Sequence, residues 1–223
     1  MKFLKEVGHA LRYRYRLYIK RDPFVREVQR WFNDRGDQTL RLAYPLDSTS
    51  LVLDVGGYQG DFANQIHERY GCRVLVFEPV EEFYRQCKSR FSGNEKIEVF
   101  NYGLGATDAL LPMEVCADGS RFSQTTAAVT ARIARLRKID EALPELGVDH
   151  IDLLKINIEG GEYDLLEAII ISGWIEKVRY LQVQFHNFVD RAEERRLALR
   201  AELAKTHTEM WNYEFVWESW RRR

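Results

Sequence analysis

The residues of this chain that could do chemistry fall into two tight groups. One is Asp54, Gly56, Gly57, Gly60 and Glu78; the other is Lys155, Asn157, Glu159, Gly160, Gly161 and Glu162. In the first group an acid inside an apolar run precedes glycines. These turn the backbone tightly and admit a ligand without Cβ obstruction. Glu78 ends a second apolar run, where an acid accepts hydrogen bonds from two ribose hydroxyls. In the second group four polar side chains crowd the end of an apolar run, an arrangement costly to desolvate unless they pair or bind something. Gln182, Gln184 and His186 end a further run and should approach the same edge. The chemistry implied is a nucleoside site beside groups able to take a proton.

A dinucleotide fingerprint, G-x-G-x-x-G, would need glycine at position 55, where this chain has Val55. Asp54 would also repel a pyrophosphate, whereas it can hold an ammonium group. S-adenosylmethionine has an ammonium and a ribose but no phosphate, so a methyl donor fits better than a nicotinamide dinucleotide. A nicotinamide-dependent sugar oxidoreductase stays an alternative. A non-catalytic donor-binding interaction module is another.

The elements that must position these groups alternate between strand and helix. Leu51, Val52, Leu53 and Val55 make a short apolar strand, as expected where both faces are covered. A helix over 62–70 and a strand over 73–77 follow, then a helix over 81–91 and a strand over 97–101. Tyr102 to Gly105 reads as a glycine-bearing turn. An added β-pair is expected over 110–115 and 127–133. The second chemical group sits on a strand at 151–158, with a helix at 163–171 behind it. A strand over 178–185, a helix over 192–205 and a closing strand over 213–217 complete the chain. Residues 1–35 read as helical, with Pro23 just inside a helix start after Asp22. This alternation implies an α/β fold, a mostly parallel sheet with helices on both faces. The expected division is an N-terminal helical extension, 1–45, and a Rossmann-like domain, 46–223.

With 223 residues, the chain can bury a sizeable core as one domain with extensions. Its 45% hydrophobic and 30% charged residues are those of an ordinary globular protein, and a net charge of −1 argues against a general nucleic-acid binder. No apolar stretch is long enough to span a membrane, and no signal-peptide core is visible. Cys72, Cys87 and Cys116 lack paired spacing and read as free thiols of a cytoplasmic protein. Residues 1–21 interleave Lys2, Lys5, Arg12, Arg14, Arg16, Lys20 and Arg21 with aromatics. A helix of that kind could rest on anionic lipid, but packing on the domain with solvated arginines is the favoured reading.

The segments LDVGGYQGDF, VFEP, NYGLG, LLKINIEGGEYDLL and FVWESW together resemble the FkbM family of S-adenosylmethionine-dependent methyltransferases. The resemblance covers roughly residues 50–187, with the tail as weaker support. It implies a class I methyltransferase sheet of seven strands with a last antiparallel strand. It also implies O-methylation of a hydroxyl, on a sugar of a bacterial glycan or glycolipid or on a secondary metabolite. The donor would be held by Asp54, Gly56, Gly57, Tyr58, Gly60, Asp61 and Phe62 at the first turn. Glu78 and Pro79 would follow on the ribose, Asn101, Tyr102 and Gly103 near the adenine, and Ser123 in a lid. Glu159, Glu162 or His186 would be the base, with Lys155 orienting a carboxylate or lowering the alcohol's pKa. The chain departs from the family pattern at Tyr58, Asn157 and Gln184, where Asn, Asp and Glu are more usual. The last two leave fewer hard ligands, so no metal is expected. The acceptor and the oligomeric state are not readable from the chain.

Overall fold

The computed structural model describes residues 15–116, 119–122 and 132–223. A π-helical turn, Tyr15–Ile19, precedes α1, Pro23–Asn33. Asp22 caps α1 by accepting from the Val25 N–H at 3.3 Å, and Pro23 sits where its missing N–H costs nothing. A 3-10 turn at Leu40–Leu42 then leads into the main sheet.

That sheet alternates with helices: β1 Leu51–Val55, α2 Asp61–Tyr70, β2 Arg73–Phe77, α3 Glu81–Arg90 and β3 Ile97–Phe100. After an inserted sheet come α4 Ile139–Glu145, β8 Ile151–Ile156, α5 Glu162–Ile171, β9 Val178–Val183 and α6 Ala192–Thr206. β10, His207–Tyr213, and β11, Trp217–Arg222, close the chain. The strand order is β10-β11-β9-β8-β1-β2-β3, with β11 antiparallel to both neighbours. The order reverses between β1 and β8. Such a switch point leaves a crevice outside the carboxyl ends of the strands.

Alternation along the buried strands sorts residues between two faces. Leu53, Val55, Leu75, Phe77, Leu154, Ile156, Leu181 and Val183 pack against α4, α5 and α6. Val52, Val74, Val76, Leu153 and Tyr180 pack against Phe62 and Ile66 of α2, Cys87 of α3, and Tyr44 and Leu46. Asp54, Lys155 and Gln182, two residues beyond Val52, Leu153 and Tyr180, share that second face.

The inserted sheet runs β4-β7-β5-β6: β4 is Gly103–Gly105, β5 Ala109–Cys116, β6 Gly119–Phe122 and β7 Arg132–Lys138. The expected turn at 102–105 is therefore partly strand, because Gly103 and Gly105 pair with Leu136 and Lys138. β5 has two partners, β6 and β7; β7, at 132–138, lies later than the expected 127–133, and residues 127–131 are outside the described residues. The expected closing strand at 213–217 straddles a turn, with Val216 N–H donating to the Tyr213 carbonyl, and strands lie on either side of it. Residues 15–35 hold two helical pieces broken at Arg21, whose φ is +50°, and 1–14 lie outside the described residues. No described helix is long and apolar enough to cross a membrane.

Candidate active site

The loop after β1 is shaped by steric limits. Gly56 has φ +86°, and a Cβ there would lie 1.8 Å from the Asn157 carbonyl oxygen. A Cβ at Gly57 would meet Val76 Cγ1 at 2.2 Å. Only glycine lets this turn lie so close to β8 and β2. Tyr58 follows in the left-handed region, φ +48°, which side-chain-bearing residues rarely adopt. Its N–H donates to Glu78 Oε2 at 2.8 Å, and the Val80 N–H donates to Glu78 Oε1 at 2.8 Å. Burial pushes the Glu78 carboxyl up to about 7, although these two amides favour its charged form. Glu78 is thus fixed on the tip of β2 with lone pairs left for further donors. Gly60 caps α2, whose first residues are Asp61, paired with Arg90 at 2.6 Å, and the buried Phe62. Pro79 packs near Gly103, where a Cβ would lie 3.5 Å from its ring. Asn101 donates its amide to Glu81, and Tyr102 sits beside the Phe77 and Phe100 rings.

At the switch point Lys155 Nζ donates to Asp54 Oδ1 and to the Gly56 carbonyl, each at 2.7 Å. Lys155 is only 3% exposed, and Asp54 is fully buried. Burial presses the lysine toward its neutral form, while the Asp54 carboxylate opposes it. The pair links β1 to β8 and grips the carbonyl at the start of the glycine turn. Cross-strand register continues the polar row through Gln182 on β9 to Ser219 on β11.

Three buried acceptors at this edge have no donor among the described residues: Asp54 Oδ2, Asn101 Oδ1 and Asn157 Oδ1. Buried acceptors are normally paired. Asp54 and Asn157 flank the glycine turn and Asn101 stands at the tip of β3, a spread that suits a ligand bearing several N–H and O–H donors, as a nucleoside with an amino-acid arm does.

The second group sits at the tip of β8. Glu162 opens α5 and is fully buried. Its Oε1 accepts from the Ile158 N–H at 3.0 Å and lies 2.7 Å from His186 Nδ1, and its Oε2 accepts from the Gly160 N–H at 3.0 Å. His186 Nε2 lies 3.4 Å from Glu159 Oε2. Burial would lower the His186 pKa, but the two carboxylates outweigh it and hold it up at about 9. The imidazole is therefore cationic at neutral pH. Glu159, with φ +53° and its side chain 29% exposed, is the open member of the three. Tyr163 fixes the loop by donating to the His186 carbonyl at 2.9 Å, and the Phe188 ring lies 5.1 Å from the imidazole.

The model of the methyltransferase FkbM domain matches residues 54–215, from Asp54 of β1 past Trp211 and Tyr213 of β10.

The chain belongs to the FkbM methyltransferase domain family.

S-adenosylmethionine dependence is the general property of that family. This FkbM domain is 14% identical to the methyltransferase FkbM of Methylobacillus flagellatus, with a TM-score of 0.54 over 81% of this chain and 45% of that one. It is 11% identical to SMU.1697c of Streptococcus mutans, solved in complex with SAH, with a TM-score of 0.54 over 86% of this chain and 97% of that one. Both likenesses concern the fold. A curated relative, the AMB antimetabolite synthetase AmbE of Pseudomonas aeruginosa, is 25% identical over 85% of this chain. The FkbM domain spans only 10% of that protein's length.

The fold brings Asp54, Gly56, Gly57, Tyr58, Gly60 and Glu78 around one turn and sets Asn101, Tyr102 and Gly103 at the tip of β3. Glu159, Glu162 and His186 meet one another. Lys155 does not join them, because its ammonium is turned onto Asp54. Ser123 lies outside the described residues. Sequence reasoning missed Arg41 and Tyr44, which reach the same edge from the segment before β1. No motif marks them; their nearest signal is an arginine between leucines just ahead of the first buried strand.

Proposed function

We propose that this FkbM domain transfers a methyl group from S-adenosylmethionine to a hydroxyl group, of a sugar in a glycan or glycolipid or of a secondary metabolite. The observation that carries the reading is the set of three donor-less buried acceptors at the carboxyl edge of the sheet, with an accessible carboxylate, Glu159, on the loop after β8. Asp54, Gly56, Gly57 and Tyr58 would hold the amino-acid end, Glu78 the ribose and Asn101 the adenine amine. S-adenosylmethionine supplies an electrophilic methyl group on a positively charged sulfur. Two acids face one histidine in the Glu159–His186–Glu162 group, an arrangement that suits that cation. Glu159 would take the acceptor's hydroxyl proton, since Glu162 is spent on the 158–160 backbone and on His186. His186 would hold Glu159 in place, and Glu162 would hold His186. Lys155 would act through Asp54 and Gly56, not on the acceptor.

We further read residues 46–223 as the catalytic domain and 1–45 as an extension, whose Trp31 packs on Trp211 and Tyr213. A cytoplasmic location is supported by the buried, unpaired Cys72 and Cys87. The test is transfer of labelled methyl from S-adenosylmethionine to methyl glycosides and to their 2-amino analogues. Label recovered as an alkali-stable methyl ether, with or without a chelator, supports the reading. Label found only on amines removes O-methylation, and chelator-sensitive transfer restored by Mg²⁺ removes the metal-free mechanism.

A further inference from the structure

The donor proposed above carries an α-carboxylate as well as an α-ammonium. Asp54, Glu78 and Glu159 repel a carboxylate, and Lys155 is buried with both short contacts directed inward. Arg41 has the opposite character. Its guanidinium carbon lies 5.6 Å from the Phe62 ring and 4.4 Å from the Trp217 ring. Phe62 stands in the first turn of α2, directly after the glycine turn. Trp217 opens β11, whose start lies at the carboxyl edge because that strand is antiparallel to β9. Arg41 therefore spans the crevice over the tips of β8 and β9. Its charge is near enough to Lys155 to oppose that lysine's protonation.

Local contacts fix the guanidinium without using it up. With the Gln182 amide oriented so that both ends are satisfied, its nitrogen donates to the Arg41 carbonyl at 3.1 Å and its oxygen accepts from Arg41 Nε at 3.3 Å. Nη1 donates to Asp37 at 3.1 Å, a pair open enough to solvent to count for little. Among the described residues Nη2 has no acceptor. The side chain is 21% exposed, so it is both held and reachable.

We propose that Arg41 binds the α-carboxylate of the methyl donor through the Nη1–Nη2 edge of its guanidinium. A guanidinium fork presents two parallel N–H groups to a carboxylate, and stacking on aromatic faces holds it ready. The inference rests on the donor reading given above. A carboxylate could also come from the acceptor, and the experiment separates the two sources.

The wild-type chain, Arg41→Met and Arg41→Lys are titrated calorimetrically with S-adenosylhomocysteine and with 5′-methylthioadenosine. The second ligand keeps the adenine, ribose and sulfur but lacks the amino-acid end. Arg41→Met is expected to lose about 10- to 100-fold in affinity for S-adenosylhomocysteine, the range of a charge-assisted hydrogen bond, and nothing for 5′-methylthioadenosine. Arg41→Lys should recover part of the loss. Unchanged S-adenosylhomocysteine affinity overturns the proposal and leaves Arg41 for an acceptor's acid group. Equal loss for both ligands overturns it in favour of a purely structural role. If the wild-type chain binds neither ligand, the donor reading falls and the proposal with it.

Discussion

Asp54–Lys155 and Glu159–His186–Glu162 use similar chemical parts at the same sheet edge, and they differ in access. The first pair is sealed between β1 and β8, and its lysine spends two 2.7 Å contacts inside the protein. The second cluster has one sealed acid, Glu162, one cationic histidine and one acid, Glu159, that solvent reaches. Opposite charges in the interior are held at a desolvation cost that only close pairing offsets. The sealed pair thus sets the shape of the turn and leaves only Asp54 Oδ2 without a donor, whereas the open cluster keeps a carboxylate that solvent reaches.

The largest effect that would break this contrast is loss of the sealed lysine. Lys155→Met leaves the Asp54 carboxylate buried without its cation and should cost about 3–5 kcal/mol of stability in urea denaturation. Adding Asp54→Asn to it should recover much of that. A cost below about 1 kcal/mol, the worth of an exposed pair, would mean that the pair is not sealed in solution.

Glu159→Gln addresses the open cluster. Methyl transfer to a glycoside acceptor should fall by about two to four orders of magnitude, the usual share of a general base. Glu162→Gln should instead lower the melting temperature, because the 158–160 backbone loses its acceptor. If Glu159→Gln turns over at the wild-type rate, proton removal lies elsewhere.

A smaller effect is a pH dependence. His186 has a folded pKa of about 9 against an ordinary value of 6.5. A raised histidine pKa stabilises the fold fully below pH 6.5, and that contribution is lost as pH rises through about 9. The melting temperature should fall across that window in the wild-type chain and fall less in His186→Gln. Parallel curves would show that the histidine is not held as a cation.

The contrast also marks what the sequence could reveal. β1 and β8 are short apolar runs that lead into glycine turns, and β2 is an apolar run that ends on Glu78 and Pro79, so their identity and their acids were legible at once. The pairing of Lys155 with Asp54 was not, because it depends on which strands lie side by side at the switch point. β10 was blurred because HTEMWNY is a largely exposed edge strand, and β11 because WESWRR buries a charge. Glu218 is buried yet accepts from Arg196 and Arg200 at 2.7 Å each and from the Trp220 indole at 3.0 Å. Neither strand carries the apolar signal that marks the others. The protonation of His186 was equally hidden, since it follows from two acids that meet only after folding.

The central claim is that the turn after β1, with Glu78, is the donor site and that Glu159 stands apart from it. Calorimetric titration of S-adenosylhomocysteine into the wild-type chain, Glu78→Ala and Glu159→Gln tests it most directly. The account predicts one equivalent bound by the wild-type chain, affinity weaker by about 1.5–3 kcal/mol in Glu78→Ala, and unchanged affinity in Glu159→Gln. Equal affinity in Glu78→Ala, or a comparable loss in Glu159→Gln, would contradict it.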